Sequence, residues 1–166
     1  KPGYYDRPGV YGEGTAYADN AARFGLLCRA AVEIARQRAL DGEPFDVVHV
    51  HDWPTALAPG YLAWRGIDTP SLLTIHNLAY QGVFPKSVYA LSNLPEAYFH
   101  MGGAEFHGAV NFLKSAVVFS DAITTVSPRY AREITTPEFG EQLDGVIRSR
   151  KDVLSGILNG VDYDEW

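Results

Sequence analysis

The segment FDVVHVHDWPTALAPGYL, residues 45–62, places a strand pattern directly before a helix pattern. Its first part, residues 45–51, is largely apolar and rich in valine, as expected of a buried strand. Pro54 follows at a position where the first turn of a helix tolerates proline, because no backbone donor is needed there. Apolar residues then recur at helical spacing, at Ala56, Leu57, Tyr61 and Leu62. The segment predicts a β-strand followed by an α-helix.

Three more segments carry strand patterns, and helix patterns separate them. They are PSLLTIH (70–76), DAITTVSP (121–128) and SGILNG (155–160). An amphipathic helix is predicted upstream, from Asn20 to Leu40, and Ser127 is a candidate N-cap of another helix. Strands that alternate with helices need crossover connections, which favour a parallel sheet buried on both faces. The predicted fold class is therefore α/β, and the long aromatic stretch 83–108 is predicted to be an elaborated crossover.

The amino-acid composition and net charge of the chain restrict the kinds of binding partner that are expected. The 166 residues include 46% hydrophobic and 20% charged residues and one cysteine, and their formal net charge is −6. This composition is typical of one soluble domain, and the lack of a basic cluster or a long apolar run argues against a nucleic-acid or membrane partner. Residues 1–9 lack the apolar core of a signal peptide, so a cytoplasmic location is expected. Cys28, on the predicted helix, is expected to be a small buried hydrophobe.

Polar residues end each of the four predicted strands. They are His51 with Asp52, His76 with Asn77, Ser127, and Asn159 with Gly160. Ligands of open parallel sheets bind outside the carboxyl ends of the strands, so these side chains are expected to converge in a polar cleft with Trp53 and Tyr80 as aromatic walls. Simpler roles are also open. Asp52 could contact the amides of the next helix, Ser127 could be no more than a helix cap, and Asn159 could be no more than part of a turn. His49 is expected to be a hydrogen-bonded histidine of the core.

The string HVHDW, residues 49–53, also permits a metal site, because two alternating histidines and a carboxylate are plausible ligands. In the His-x-His-x-Asp-His motif of dinuclear hydrolases, however, the aspartate stands one position further along than Asp52. No metal site and no cofactor are predicted. The sequence also contains no glycine motif of dinucleotide-binding or P-loop type and no serine nucleophile elbow.

Longer blocks extend these motifs over most of the chain. They are DVVHVHDWPTALAPGYL (46–62), LLTIHNLAYQGVF (72–84), NFLKSAVVFSDAITTVSPRYAREITTPEFG (111–140), and LDGVIRSR with LSGILNGVDYDEW (143–150 and 154–166). In this order and spacing they resemble the bacterial glycogen synthases, the ADP-glucose-dependent glycogen and starch synthase family. The resemblance implies a GT-B fold, in which two Rossmann-like domains face each other across a cleft. It also implies retaining transfer of glucose from ADP-glucose to the non-reducing end of an α-1,4-glucan.

Residues 1–166 resemble part of the N-terminal domain of that family. Its first strand, with a Lys-x-Gly-Gly-Leu loop, and its entire C-terminal domain have no counterpart in the sequence. We therefore expect an incomplete N-terminal Rossmann-like domain, a fragment of a longer enzyme that is inactive by itself.

The resemblance also implies roles for single residues. His76 matches a histidine that contacts the transferred glucose, and Asp52 matches an acidic residue near the reacting sugar; these two are the predicted catalytic residues. The predicted substrate-binding residues are Asn77, Asn159, Tyr11, Trp53 and Tyr80. The implied partners are ADP-glucose and an α-glucan such as glycogen, and the oligomeric state is not predicted. A non-catalytic glucan-binding module and a metal-dependent hydrolase are the alternatives.

Overall fold

A computed structural model describes residues 2–161 of the chain, and the DYDEW segment, residues 162–166, lies outside the described residues. The strands in the described part are β1 (Gly12–Glu13), β2 (Thr15–Ala16), β3 (Val48–His51), β4 (Ser71–Ile75), β5 (Val83–Pro85), β6 (Glu105–Phe106), β7 (Ala109–Asn111), β8 (Ala122–Thr125) and β9 (Leu154–Gly156). Its α-helices are α1 (Asn20–Leu40), α2 (Asp52–Thr55), α3 (Ala58–Arg65), α4 (Tyr89–Ser92), α5 (Phe112–Phe119), α6 (Pro128–Glu133) and α7 (Asp144–Ser149). Short 3-10 turns cover Pro2–Tyr4, Lys86–Val88, Glu96–Tyr98 and Lys151–Val153. Over residues 2–161, no helix has the length and apolar character needed to cross a membrane.

The predicted parallel sheet is confirmed. Its strand order is β3-β4-β8-β9, and every neighbouring pair is parallel. The register places His51, Thr74, Thr124 and Ser155 side by side across the sheet. A small antiparallel sheet has the order β5-β7-β6; β5 and β6 lie near the two ends of the predicted crossover, residues 83–108, and β7 follows it directly. The strands β1 and β2 form a short antiparallel pair. The fold class is therefore α/β.

One face of the parallel sheet carries the core. Val50, Leu73, Ile75 and Ile123 are buried there, together with apolar residues of α1, α3 and α5. The opposite face is mostly exposed or half-buried, so the prediction that both faces are buried is wrong for the described residues. The strand order follows the chain order, and right-handed crossovers between successive strands then place their helices on the same side of the sheet.

The long predicted helix is confirmed as α1, Asn20–Leu40. Its buried stripe includes Phe24, Cys28, Val32 and Ala35, at the spacing of three or four residues that one helix face requires. Cys28 is buried, as predicted, and its thiol donates a hydrogen bond to the backbone carbonyl of Pro54 at 3.4 Å. Burial raises the pKa of this thiol to about 12. Cys28 is therefore an unreactive packing residue.

The strands of the parallel sheet are shorter than the sequence segments that predict them, and the fourth strand begins and ends earlier in the chain than its predicted segment, residues 155–160. It spans Leu154–Gly156, so Leu154 is the residue that pairs with Ile123, while Ile157 and Leu158 are 62% and 75% exposed. At Gly156 a Cβ atom would stand 2.3 Å from the backbone oxygen of Ser127, so the start of α6 lies directly against the strand. Ser127 caps that helix, since its Oγ accepts a hydrogen bond from the backbone of Tyr130 at 2.9 Å.

Candidate functional site

The carboxylate of Asp52 links the ends of the neighbouring strands β3 and β4. Its Oδ1 atom accepts a hydrogen bond from the backbone N–H of His76 at 2.8 Å and a longer one from that of Asn77 at 3.4 Å. Asp52 has a φ of 50°, which is uncommon for a residue other than glycine. Backbone strain of this kind concentrates at functional sites. The amides that Asp52 contacts thus follow β4 and do not open the next helix.

The loop after β4, residues 76–82, is fixed by hydrogen bonds beyond the two to Asp52. The backbone N–H of Leu78 donates to the hydroxyl of Tyr130 at 3.0 Å. The side-chain oxygen of Asn77 accepts from the backbone of Ala79 at 3.0 Å and so closes a local turn. The apolar strand therefore ends in an ordered polar loop, and Asn77 helps to shape it.

Three histidines, His49, His51 and His76, form a histidine row beside this loop. The ring centroids of His49 and His51 are 4.1 Å apart, and Nδ1 of His51 is 3.0 Å from Nε2 of His76. Burial lowers the pKa of His51, as do His49 and His76, whereas Asp52 acts in the opposite direction. His49 is exposed, so its predicted place in the core is wrong. Its Nε2 is hydrogen-bonded to the hydroxyl of Thr74 at 2.7 Å.

An aromatic cavity of about 500 Å³ opens at the carboxyl ends of β3 and β4. It is lined by Tyr11, Ala16, Asn20, Asp52, Trp53, Asn77 and Tyr80. The ring of Trp53 packs edge-on against Phe24, with centroids 4.9 Å apart, and lies 5.7 Å from the ring of Tyr11. A mainly apolar cavity with a few convergent polar groups is the usual form of a small-molecule site. Rings beside a carboxylate and amides suit a sugar, which has apolar faces and a rim of hydroxyl groups.

A second cavity, of about 580 Å³, lies at the amino ends of the same two strands. Its lining includes Arg36, Phe45, Arg65 and Asp68 and none of the predicted site residues. Because ligands of parallel sheets bind at the carboxyl ends of the strands, the aromatic cavity is the candidate site.

Tyr11 reaches the aromatic cavity because the segment that carries it is anchored on α1. The guanidinium of Arg23, which is 3% exposed, donates to the backbone carbonyl of Val10 at 2.9 Å and to that of Tyr4 at 2.5 Å. The side-chain amide of Asn20 donates to the carbonyl of Tyr11 at 2.8 Å. Sequence reasoning missed Arg23 and Asn20. The available signal was polar residues on the buried face of an amphipathic helix, next to a segment rich in tyrosine and proline.

The structure therefore brings most of the predicted site residues together. Tyr11, Asp52, Trp53, Asn77 and Tyr80 line the cavity, and His76 is joined to Asp52 through its backbone. Asn159 is exposed, lies beyond the end of β9 and does not line the cavity, so its predicted position at the strand end is wrong. Within residues 2–161, no group of three or more His, Cys, Asp or Glu side chains is arranged to hold a metal ion.

Curated proteins with similar sequences are glycogen synthases. The chain is 49% identical over 167 aligned residues to glycogen synthase 1 of Bradyrhizobium diazoefficiens, an alignment that covers 98% of the chain and 36% of that protein. It is 48% identical to the glycogen synthase of Thermodesulfovibrio yellowstonii, with 98% and 34% of the two chains covered. The chain thus spans about a third of the length of the curated relatives it matches.

A solved structure is also similar. The catalytic domain of starch synthase IV from Arabidopsis thaliana, bound to ADP and acarbose, superposes with a TM-score of 0.80 at 32% sequence identity. The match covers 93% of this chain and 33% of that one. The sequence profile of the starch synthase catalytic domain matches residues 1–149. The chain therefore belongs to the starch synthase catalytic domain family.

Proposed function

We propose that the chain is the amino-terminal part of a glycogen synthase that transfers glucose from ADP-glucose to the non-reducing end of an α-1,4-glucan, with retention of configuration. The names of the relatives support the activity, and the ADP and acarbose in the plant structure support a nucleotide donor and a glucan-like acceptor. The first strand of the domain and a second Rossmann-like domain would lie outside the 166 residues. The longer protein would act in the cytoplasm.

The observation that carries the proposal is the bond between the Asp52 carboxylate and the backbone of His76 at the mouth of the aromatic cavity. This bond holds the backbone of His76 next to the carboxylate of Asp52, which lines the cavity. Tyr11, Trp53 and Tyr80 would pack against sugar or nucleotide rings, and Asn77 would contact a sugar hydroxyl. Asn159, on the exposed segment after β9, would reach the cleft from the side of the proposed second domain.

Transfer from a sugar nucleotide develops positive charge on the glucose and negative charge on the departing diphosphate. Charged groups fixed in advance near the reacting atoms stabilise such a transition state, and this electrostatic contribution is usually the largest. Asp52 would stabilise the positive sugar, and His76 would donate a hydrogen bond to one of its hydroxyls. Cations for the diphosphate would come from the second domain, so no metal ion is needed.

The test replaces Asp52 by asparagine in the complete enzyme. Asp52→Asn keeps an oxygen that can accept the N–H of His76 and removes only the charge. We expect glucose transfer from ADP-glucose to glycogen to fall by about 100-fold or more, the effect of removing one electrostatic stabiliser. Asp68→Asn, an exposed carboxylate at the amino end of the sheet, is the matched control and should retain full activity. Normal transfer by Asp52→Asn and by His76→Ala would refute the site assignment.

A second candidate is a glucan-binding module without catalysis, and the aromatic cavity favours it because the cavity lies wholly within this chain. The same experiment separates the two functions. A module would bind maltooligosaccharides but show no transfer in the complete wild-type protein, and Trp53→Ala would weaken binding. An enzyme would show transfer that depends on both Asp52 and His76.

A further inference from the structure

His51 lies in the middle of the histidine row and contacts both of its neighbours. Its ring packs against that of His49 at a tilt of 36°, and its Nδ1 is 3.0 Å from Nε2 of His76. The next residue, Asp52, holds the backbone N–H of His76. His51 thus holds the ring of the predicted catalytic histidine, while Asp52 holds its main chain.

The ring contact decides which atom of His76 is available to a ligand. Two neutral imidazoles form an N–H···N bond only when one nitrogen carries the hydrogen and the other accepts it. Because the bond to His51 uses Nε2 of His76, Nδ1 is the ring nitrogen that remains for a substrate. The hydrogen bond at one nitrogen of a histidine sets the protonation of the other. The contact therefore couples the tautomers of the two rings: when Nδ1 of His51 carries the hydrogen and donates it to Nε2 of His76, Nδ1 of His76 carries a hydrogen that it can donate.

His51 is itself held without any ligand. Its backbone N–H donates to the hydroxyl of Thr55 at 2.7 Å, and that hydroxyl donates to the backbone carbonyl of His51 at 2.8 Å. On its other side, His49 is hydrogen-bonded to Thr74 at 2.7 Å, and Thr74 pairs with Thr124 at 2.7 Å. A chain of contacts on the open face of the sheet thus ends at His76. Supporting contacts of this kind fix a functional side chain before substrate arrives.

We propose that His51 is a positioning residue that fixes the ring orientation and the tautomer of His76, so that Nδ1 of His76 is the nitrogen offered to the transferred sugar. The inference rests on the proposed function, which assigns His76 to the substrate site.

The charges around His51 agree with this role. The groups that act on it are His49 from its own strand, His76 from the end of β4, and Asp52 from the start of α2. Burial and the two histidines hold the pKa of His51 below its usual range, and Asp52 opposes them. At neutral pH His51 is therefore uncharged and has a single hydrogen to place on Nδ1 or Nε2.

The test compares two substitutions of similar size in the complete enzyme. His51→Leu removes the polar atom that meets His76, whereas His51→Asn keeps a polar atom at the position of Nδ1. We expect His51→Leu to lower kcat about tenfold, the effect of one lost hydrogen bond, with a smaller change in KM. His51→Asn should restore most of kcat and alter the acidic side of the pH profile, because the titrating group is gone. His107→Asn is the control, since His107 is exposed and its φ of 50° suits asparagine.

Selective ¹⁵N labelling of histidine gives an independent measurement. The ring nitrogens of His76 should show one dominant tautomer in the wild-type enzyme and a mixture in His51→Leu. Unchanged His76 spectra in His51→Leu, or a kcat that His51→Asn does not restore, would overturn the positioning role. Failure of the proposed function looks different: the complete wild-type protein would then show no transfer, while the spectra would still report whether His51 pairs with His76. If His51→Leu does not fold, as judged by circular dichroism, His51→Asn and the wild-type spectra decide.

Discussion

The substitution Gly82→Ala tests whether the loop after β4 fixes the aromatic wall of the cavity. Gly82 has a φ of 63°, and a Cβ atom there would stand 2.5 Å from Cε3 and 2.8 Å from Cδ2 of Trp53. These atoms belong to a ring with Tyr11, Phe24 and Phe84 around it. The ring of Trp53 cannot yield without disturbing those neighbours, so a single methyl group should displace the wall.

The magnitude follows from two separable costs. An L-residue in the left-handed region costs about 1–2 kcal/mol, and Gly66→Ala should show this cost alone, because Gly66 has a φ of 61° and open space around its Cβ position. Gly82→Ala adds the overpacking of Trp53, which costs about 1–3 kcal/mol. Gly25→Ala should instead raise the free energy of unfolding. Gly25 is within α1 and has no neighbouring group near its Cβ position, and alanine there stabilises a helix by up to about 1 kcal/mol.

Urea unfolding followed by circular dichroism measures the three free energies of unfolding, and maltooligosaccharide binding reports on the cavity. We expect Gly82→Ala to be less stable than Gly66→Ala by about 1–3 kcal/mol and to bind the sugar more weakly. Gly66→Ala should bind normally because it lies at the far end of α3. Equal stability of Gly82→Ala and Gly66→Ala, with unchanged sugar binding, would refute the close packing of Trp53 on the loop.

Two further predictions concern α1. Arg23→Met should loosen residues 2–19, because it removes the buried donors to two loop carbonyls, and limited proteolysis should cut this segment faster than in Arg36→Met, a surface control; equal cleavage rates would contradict the anchoring role. Cys28 should resist a thiol reagent at pH 8 in the folded protein and react readily in urea, because burial raises the pKa of its thiol to about 12; rapid labelling of the native protein would contradict its burial.

The parts of the fold that depend on local pattern are the parts that the sequence predicts. The helix Asn20–Leu40 and the parallel strands follow from periodicity and from β-branched runs, which report burial one element at a time. The position of the fourth strand involves its neighbours instead: Leu154 pairs with Ile123, and the start of α6 lies against Gly156. The exposure of His49 depends on which face of the sheet the crossover helices cover, because His49 lies on the opposite face. Neither the position of the fourth strand nor the exposure of His49 can be predicted from a local sequence pattern.

The candidate site also has parts that the sequence predicts and parts that it does not. The polar residues at the strand ends predict a cleft, and the aromatic cavity lies there. The geometry of Asp52 could not be predicted, because alternation along a strand sends successive side chains to opposite faces and would separate Asp52 from His51. The φ of 50° at Asp52 breaks that alternation. Both consecutive residues then reach His76, one at its ring and the other at its backbone.

The residue at position 52 must therefore satisfy two requirements at once. It must adopt a left-handed backbone conformation, which aspartate and asparagine tolerate better than other residues with a side chain, and it must present an oxygen to the N–H of His76. Alanine fails both requirements, so a loss of activity in Asp52→Ala would mix a misplaced loop with a lost charge. Asparagine meets both. The difference in transfer rate between Asp52→Asn and the wild-type enzyme therefore isolates the contribution of the negative charge, and the further loss from Asn to Ala measures what the strand-end geometry contributes.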